Sequence, residues 1–224
     1  MTLWRSTFRG LAAAACLVSC LSAAVAQDID GLYDAQGKTA AGKGYTGDVK
    51  LLTFGKTGGI VWKLNDGSAY RGLSIRSGDV LGAAYATDTS YFGVVVYEVR
   101  GGILEGVWSD VTNAKTTGRE ILEGPAGLNG DYKITTGEKL DGLTNYTGHV
   151  VIKPNGKTYL LAWLQPQPVA VGIGVLLGDR LVVAFGDKRV PGVVGYKVDG
   201  RTLEGIWSSG ASKEIGTETL TRKP

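Results

Sequence analysis

The sequence predicts an all-β protein made of two tandem antiparallel modules, each an up-and-down barrel of about eight short strands. Three observations predict it. The chain repeats itself once, the matched blocks alternate with period two, and turn residues recur about every ten positions. Gly31-Leu32-Tyr33 returns as Gly130-Asp131-Tyr132, Tyr45-Thr46-Gly47 as Tyr146-Thr147-Gly148, and Trp62 as Trp163. Gly78-Asp79 returns as Gly178-Asp179, Gly93-Val94-Val95-Val96-Tyr97 as Gly192-Val193-Val194-Gly195-Tyr196, and Leu104-Glu105-Gly106-Val107-Trp108-Ser109 as Leu203-Glu204-Gly205-Ile206-Trp207-Ser208. So many ordered matches mark an internal repeat, which takes precedence over any local pattern.

The first element is a targeting segment. Arg5 and Arg9 precede an apolar run from Leu11 to Val25, and Ala24-Val25-Ala26 has the small-x-small form that signal peptidase cleaves. The run is shorter than the roughly 20 residues of a bilayer-spanning helix. Residues 1–26 are therefore expected to be removed, leaving a periplasmic or secreted protein. An uncleaved membrane anchor is the plainer alternative. A second arises from Leu17-Val18-Ser19-Cys20, which has the form of a lipoprotein box and would anchor the chain through Cys20. Both cysteines, Cys16 and Cys20, lie in this segment, so cleavage at Ala26 leaves no thiol for a disulfide or a metal.

The mature chain divides at the repeat, into copy one at 28–124 and copy two at 128–222, with Gly124-Pro125-Ala126-Gly127 as the linker. Copy one is expected to form strands at 31–36, 45–54, 58–64, 68–76, 79–86, 93–100, 103–109 and 117–123, with matching strands in copy two. Tyr45, Gly47, Val49 and Leu51 share one face against Thr46, Asp48 and Lys50, the alternation of a half-buried strand. The spacing between copies drifts only in polar or Gly/Pro-bearing connections, as it must if a one-residue slip would turn a strand inside out. Sequential hairpins favour a meander, and closure removes its exposed edges. A sandwich of two sheets is the alternative. Eight strands enclose an interior that side chains fill or that holds one small ligand; about 95 residues per copy favour a filled one.

The ordered motif Gly-x-Tyr, Tyr-x-Gly-x-Val, Trp, Gly-x-Gly-x-x-x-Gly-Asp-x-Leu, Gly-Val-Val-x-Tyr, Leu-Glu-Gly-x-Trp, Gly-Thr-Glu-x-Leu resembles a family of small exported bacterial proteins labelled "fibronectin-binding protein". Copy two carries it best, through Gly172-Ile173-Gly174, Leu203-Glu204-Gly205-Ile206-Trp207 and Gly216-Thr217-Glu218. Copy one departs at Gly72-Leu73-Ser74 and Gly118-Arg119-Glu120. The resemblance implies an all-β fold and, through its label, an extracellular protein partner of matrix type.

Chemistry-bearing residues are few. Trp62, Trp108, Trp163 and Trp207, with Tyr45 and Tyr146 and also Tyr33 and Tyr132, are candidates to line a ligand pocket, since apolar cavities with a few polar groups hold small molecules. The plainer reading is that they fill the barrel, each sending an N–H or O–H to a partner. The retained carboxylates Glu105 and Glu204, with Glu120 and Glu218, are weighed as an acid–base set. Glu105 alternates with Leu104, Gly106 and Trp108 and is expected on the opposite surface, where strand-end carboxylates pair with Lys or Arg. His149 is the one histidine and falls on the outward face with Thr46 and Lys50, so no triad or metal cluster can recur in both copies. Pro166, Gln167 and Pro168 form a loop without counterpart in copy one, read either as an interaction loop or as a strand start with Pro in first place.

Without Arg5 and Arg9, 22 basic residues oppose 21 acidic ones, no footprint for nucleic acid. Function is thus expected to be non-enzymatic: a binding protein engaging an extracellular or periplasmic protein, with no cofactor and no membrane span. A lipocalin-like carrier of a small hydrophobic or sugar ligand is the alternative, and a hydrolase ranks last.

Overall fold

The computed structural model describes residues 28–87, 91–187 and 189–224. The export segment 1–26, with Cys16 and Cys20, lies outside the described residues. Copy one contributes β1 (Gly31–Lys38), β2 (Gly44–Phe54), β3 (Thr57–Leu64), β4 (Ala69–Ser77), β5 (Val80–Ala86), β6 (Phe92–Arg100), β7 (Ile103–Asp110) and β8 (Gly118–Glu123). Copy two contributes β9 (Gly130–Gly137), β10 (Gly148–Asn155), β11 (Thr158–Leu164), β12 (Pro168–Leu177), β13 (Arg180–Gly186), β14 (Gly192–Asp199), β15 (Thr202–Ser208) and β16 (Gly216–Arg222). Among the described residues all repetitive structure is strand. The two-residue turns Gly78-Asp79 and Gly178-Asp179 put φ at 61° and 63° on their glycines, a conformation that a side chain disfavours.

The strands close into two eight-stranded antiparallel barrels, as the alternation and hairpins predict. Membership of the barrels is not what the repeat predicts. Barrel one runs β1-β16-β15-β14-β5-β4-β3-β2 and barrel two runs β10-β11-β12-β13-β6-β7-β8-β9. Each barrel thus takes five strands from one copy and three from the other. The copies at 28–124 and 128–222 are repeats in sequence but not separate folded bodies. Gly124-Pro125-Ala126-Gly127 is not an interdomain linker either. It turns β8 into β9, which pair inside barrel two. The chain passes between the barrels twice, from β5 to β6 and from β13 to β14.

The reason lies in strands that are apolar on both faces. In β13, Leu181, Val183 and Phe185 face the interior of barrel two, while Val182 and Ala184 face barrel one. In β5, Leu81 and Ala83 face inward, while Val80 and Ala84 belong to the core shared with β6 and β13. Runs such as Val94-Val95-Val96 are the mark of a strand covered on both sides. Leu73, Ile75, Val94, Val96, Ile173, Val175, Val182 and Val193 form a third core between the barrels, each side chain contributing about 1.5–3 kcal/mol relative to exposure. Gly82 lets the sheets approach: a Cβ there would stand 2.6 Å from Val96 Cγ2 and 2.7 Å from Val182 Cγ1.

One half of each barrel is filled. In barrel one, Leu51, Val198, Leu203, Leu220 and Tyr33 pack together, and the Tyr33 hydroxyl donates to the carbonyl of Ile29 at 2.7 Å. In barrel two Tyr132 takes the same place and donates to the carbonyl of Pro125 at 2.8 Å. Tyr33 and Tyr132 are plug residues, not pocket residues.

Candidate functional site

The other half of each barrel is open. In barrel one a cavity of about 170 Å³ is lined by Tyr45, Trp62, Leu64, Tyr70, Tyr85, Val194, Tyr196, Trp207 and Glu218, with Thr39, Lys43, Gly44 and Asp66 from the loops at its mouth. In barrel two a cavity of about 230 Å³ is lined by Tyr91, Val95, Tyr97, Trp108, Glu120, Tyr146, Trp163, Ala170 and Phe185, with Lys139, Gln165 and Val169 beside them. The filled interior that the short copy length favours therefore holds for only one end of each barrel. All six pocket candidates, Tyr45, Tyr146, Trp62, Trp108, Trp163 and Trp207, stand in these walls.

Strand order explains how they meet. Tyr45 and Trp62 come from β2 and β3 of copy one, while Tyr196, Trp207 and Glu218 come from β14, β15 and β16 of copy two. Barrel two reverses the assignment, taking Tyr97, Trp108 and Glu120 from copy one and Tyr146 and Trp163 from copy two. Neither copy carries a whole site.

A carboxyl sits at the buried end of each cavity. Glu218 is 5% exposed and Glu120 2%. Tyr45 donates to Glu218 Oε1 at 3.0 Å, while Trp62 Nε1 donates to Oε2 at 3.1 Å and the Tyr196 hydroxyl donates to the same oxygen. In barrel two Tyr146 donates to Glu120 Oε2 at 2.9 Å, while Trp163 Nε1 donates to Oε1 at 3.2 Å beside the Tyr97 hydroxyl. The two arrangements match group for group. One oxygen accepts a phenol and an indole, and the other accepts a single phenol.

Burial lifts both carboxyls above the usual glutamate range, against the opposing pull of the three donors on each. Burial, reinforced by the adjacent carboxyl, pushes the phenols of Tyr45, Tyr97, Tyr146 and Tyr196 upward, so these groups remain neutral donors. Among the described groups that set either glutamate's state, none is a cation.

Glycines seat the aromatic rings. A Cβ on Gly205 would stand 2.4 Å from the Tyr196 ring, and one on Gly106 would stand 2.5 Å from Tyr97. Gly216 and Gly118 lie as closely under Trp207 and Trp108. The retained Leu-Glu-Gly and the Gly two residues before each buried glutamate are thus cradles for the wall.

The walls differ where the floors agree. Trp62 faces Tyr70 across the β3–β4 ladder, whereas Trp163 faces Ala170 across β11–β12. Tyr85 likewise gives way to Phe185, opposite Gly72 and Gly172 in turn. Tyr70 thus lines cavity one, where cavity two has only the methyl of Ala170.

Among the sequence candidates, Glu105 faces outward, 3.7 Å from Arg119, and Glu204 is exposed. Glu120 and Glu218, weighed beside them as acid–base candidates, point into the barrels. Their signal was present: Gly216, Glu218 and Leu220 alternate as Gly118, Glu120 and Leu122 do, which places each glutamate on the leucine's face. His149 is exposed and lies 3.0 Å from Asp131. Pro166, Gln167 and Pro168 are exposed, and Pro168 begins β12 beside a register shift at Trp163/Leu164. Their neighbours Gln165 and Val169 line cavity two, so the loop borders that mouth. Comparison with protein-family models and with curated proteins returns no match for this chain.

Proposed function

We propose that this is an exported, non-enzymatic binding protein that holds a small ligand in each of its two barrels. One observation carries the reading: an aromatic cavity with a hydrogen-bonded carboxyl at its buried end is assembled twice, from different strands. Mostly apolar walls with a few convergent polar groups are the make-up of small-molecule sites. A purely structural glutamate would gain nothing from an adjoining void, because a void forfeits packing contacts. Acid–base chemistry usually calls for two groups poised near neutrality. Here each buried end offers one carboxyl whose phenol partners are pushed further from neutrality.

Export to the periplasm or beyond belongs to the same proposal and rests on residues 1–26. Native mass measurement on gently purified protein tests it, with up to two extra small-molecule masses per chain as the expected result. Trp62, Trp207, Trp108 and Trp163 supply an internal reporter, so a ligand shifts tryptophan emission. No bound mass and no emission response to a metabolite library, together with capture by immobilised fibronectin, would replace this reading with surface binding of a matrix protein.

A further inference from the structure

The two buried carboxyls also specify the charge of the ligand. Resting on the small-ligand reading above, we infer that each cavity binds a small organic cation, with an ammonium or amidinium head against Glu218 in barrel one and Glu120 in barrel two.

Three observations converge on this. Glu218 and Glu120 are held by donors alone, two phenols and one indole each, and those donors are neutral. An ionised carboxylate offers about four acceptor positions, and in both barrels the oxygen facing Tyr45 or Tyr146 takes only one donor. That leaves one position for an N–H from outside, at the same place in both sites. Burial works against the ionised form of both carboxyls, neutral donors add no opposite charge, and a charge taken out of water is ordinarily paired. A cationic head in the cavity would hold the group ionised, and among the described residues none that sets either glutamate's state supplies that charge.

The walls fit the same occupant. Trp62, Trp207, Tyr70 and Tyr85 in barrel one, and Trp108 and Trp163 in barrel two, surround the space in front of the carboxyl. Aromatic faces are negative at their centres and attract cations most when water is excluded. A cavity of about 170 Å³ admits a one-ring amine. Lys43 with Asp66 in barrel one and Lys139 in barrel two stand at the mouths. They set the field at the entrance and leave the inner end to the glutamate alone. The carboxyl is common to both sites and the wall is not, so charge preference should be shared while size preference differs.

The test uses the full mature chain and three ring compounds of one shape: benzylammonium, benzyl alcohol and benzoate. Binding is followed by calorimetry and tryptophan emission. The expected result is two benzylammonium ions per chain, held at least about tenfold tighter than the alcohol, a difference of about 1.4 kcal/mol, with benzoate weakest. Glu218→Gln and Glu120→Gln keep the shape and remove the charge. Each should abolish the preference at one site, and the double variant should bind ammonium and alcohol alike. Unchanged thermal unfolding cooperativity shows that the variants fold. Lowering pH through the raised glutamate range should weaken benzylammonium and leave the alcohol unaffected.

Alcohol or benzoate binding as tightly as the ammonium, or a preference that survives both substitutions, overturns the cation inference while leaving the small-ligand reading intact. Failure of benzylammonium to bind also overturns it, and the native mass measurement then decides the small-ligand reading separately.

Discussion

Trp62 and Glu218 stand 156 positions apart in sequence, and the indole Nε1 donates to the carboxyl Oε2 at 3.1 Å. Trp163 makes the same bond to Glu120 at 3.2 Å across only 43 positions. One contact of one motif is thus made over two very different lengths of chain, because the repeats exchange strands. Replacing Trp62 or Trp163 by Phe removes the donor and keeps most of the ring. Hydrogen bonds to charged groups contribute about 1.5–3 kcal/mol. Urea denaturation should show a loss of that size for either variant, and equal losses would confirm that the bond matters alike in both barrels.

The seating glycines give a sharper packing test. Gly205→Ala and Gly106→Ala place a methyl within 2.4 Å and 2.5 Å of Tyr196 and Tyr97, and overpacking of this kind costs about 1–3 kcal/mol. Gly59→Ala, in the sheet that holds Gly205 and with nothing within 4 Å of the new methyl, serves as control. It should be neutral or gain up to about 1 kcal/mol from the unfolded chain.

Stability should fall as pH rises. Burial lifts the carboxyls of Glu120 and Glu218 above the ordinary value of 4.5 in the folded protein. The folded state therefore binds more protons than the unfolded state between that value and the raised one. Its contribution is fully present below the ordinary glutamate range and is lost as pH climbs through the raised value. The Glu120→Gln/Glu218→Gln double variant should lack this slope. Denaturation midpoints measured across the acidic range, wild type against double variant, check the sign.

Most of the fold was legible because local pattern decides it. The strand expected at 45–54 is observed at Gly44–Phe54, and that at 79–86 at Val80–Ala86. Which copy a strand joins was not legible, for a physical reason. β5 can be followed by β6 or flanked by β14, and both carry the Gly-Val-Val motif ending in Tyr97 or Tyr196, so either neighbour satisfies the same ladder and the same core. The aromatic wall was legible from Trp62, Trp163, Tyr45 and Tyr146. The floor is harder to read: the motif flags Glu218 only as one of four retained carboxylates, and it is the spacing from Leu220 that turns it inward.

Wall residues should set size selectivity independently of the floor. Tyr70→Ala opens cavity one and Ala170→Tyr narrows cavity two. The ratio of affinities for a two-ring over a one-ring guest should rise by about tenfold in the first variant and fall in the second, the scale at which apolar pockets discriminate. Titration with ammonium guests in a background where the other glutamate is Gln separates the two cavities, because only the unaltered one keeps the preference for the cation.

Chains severed between Gly124 and Gly130 should still assemble. Each fragment lacks three strands of one barrel and five of the other, so co-expressed 28–126 and 127–224 should elute as a one-to-one complex. Two independent monomeric barrels in size-exclusion chromatography would contradict the exchanged topology.

The exchange also bears on the ancestry of such a body. Two identical single-copy chains hold every part needed to build it as a symmetric, strand-swapped homodimer, in which both pockets would be obliged to stay the same. Fusing the end of β8 to the start of β9 lifts that obligation. Positions such as Tyr70 and Ala170 are then free to differ, and one polypeptide carries two cavities with unlike walls over the same carboxyl floor.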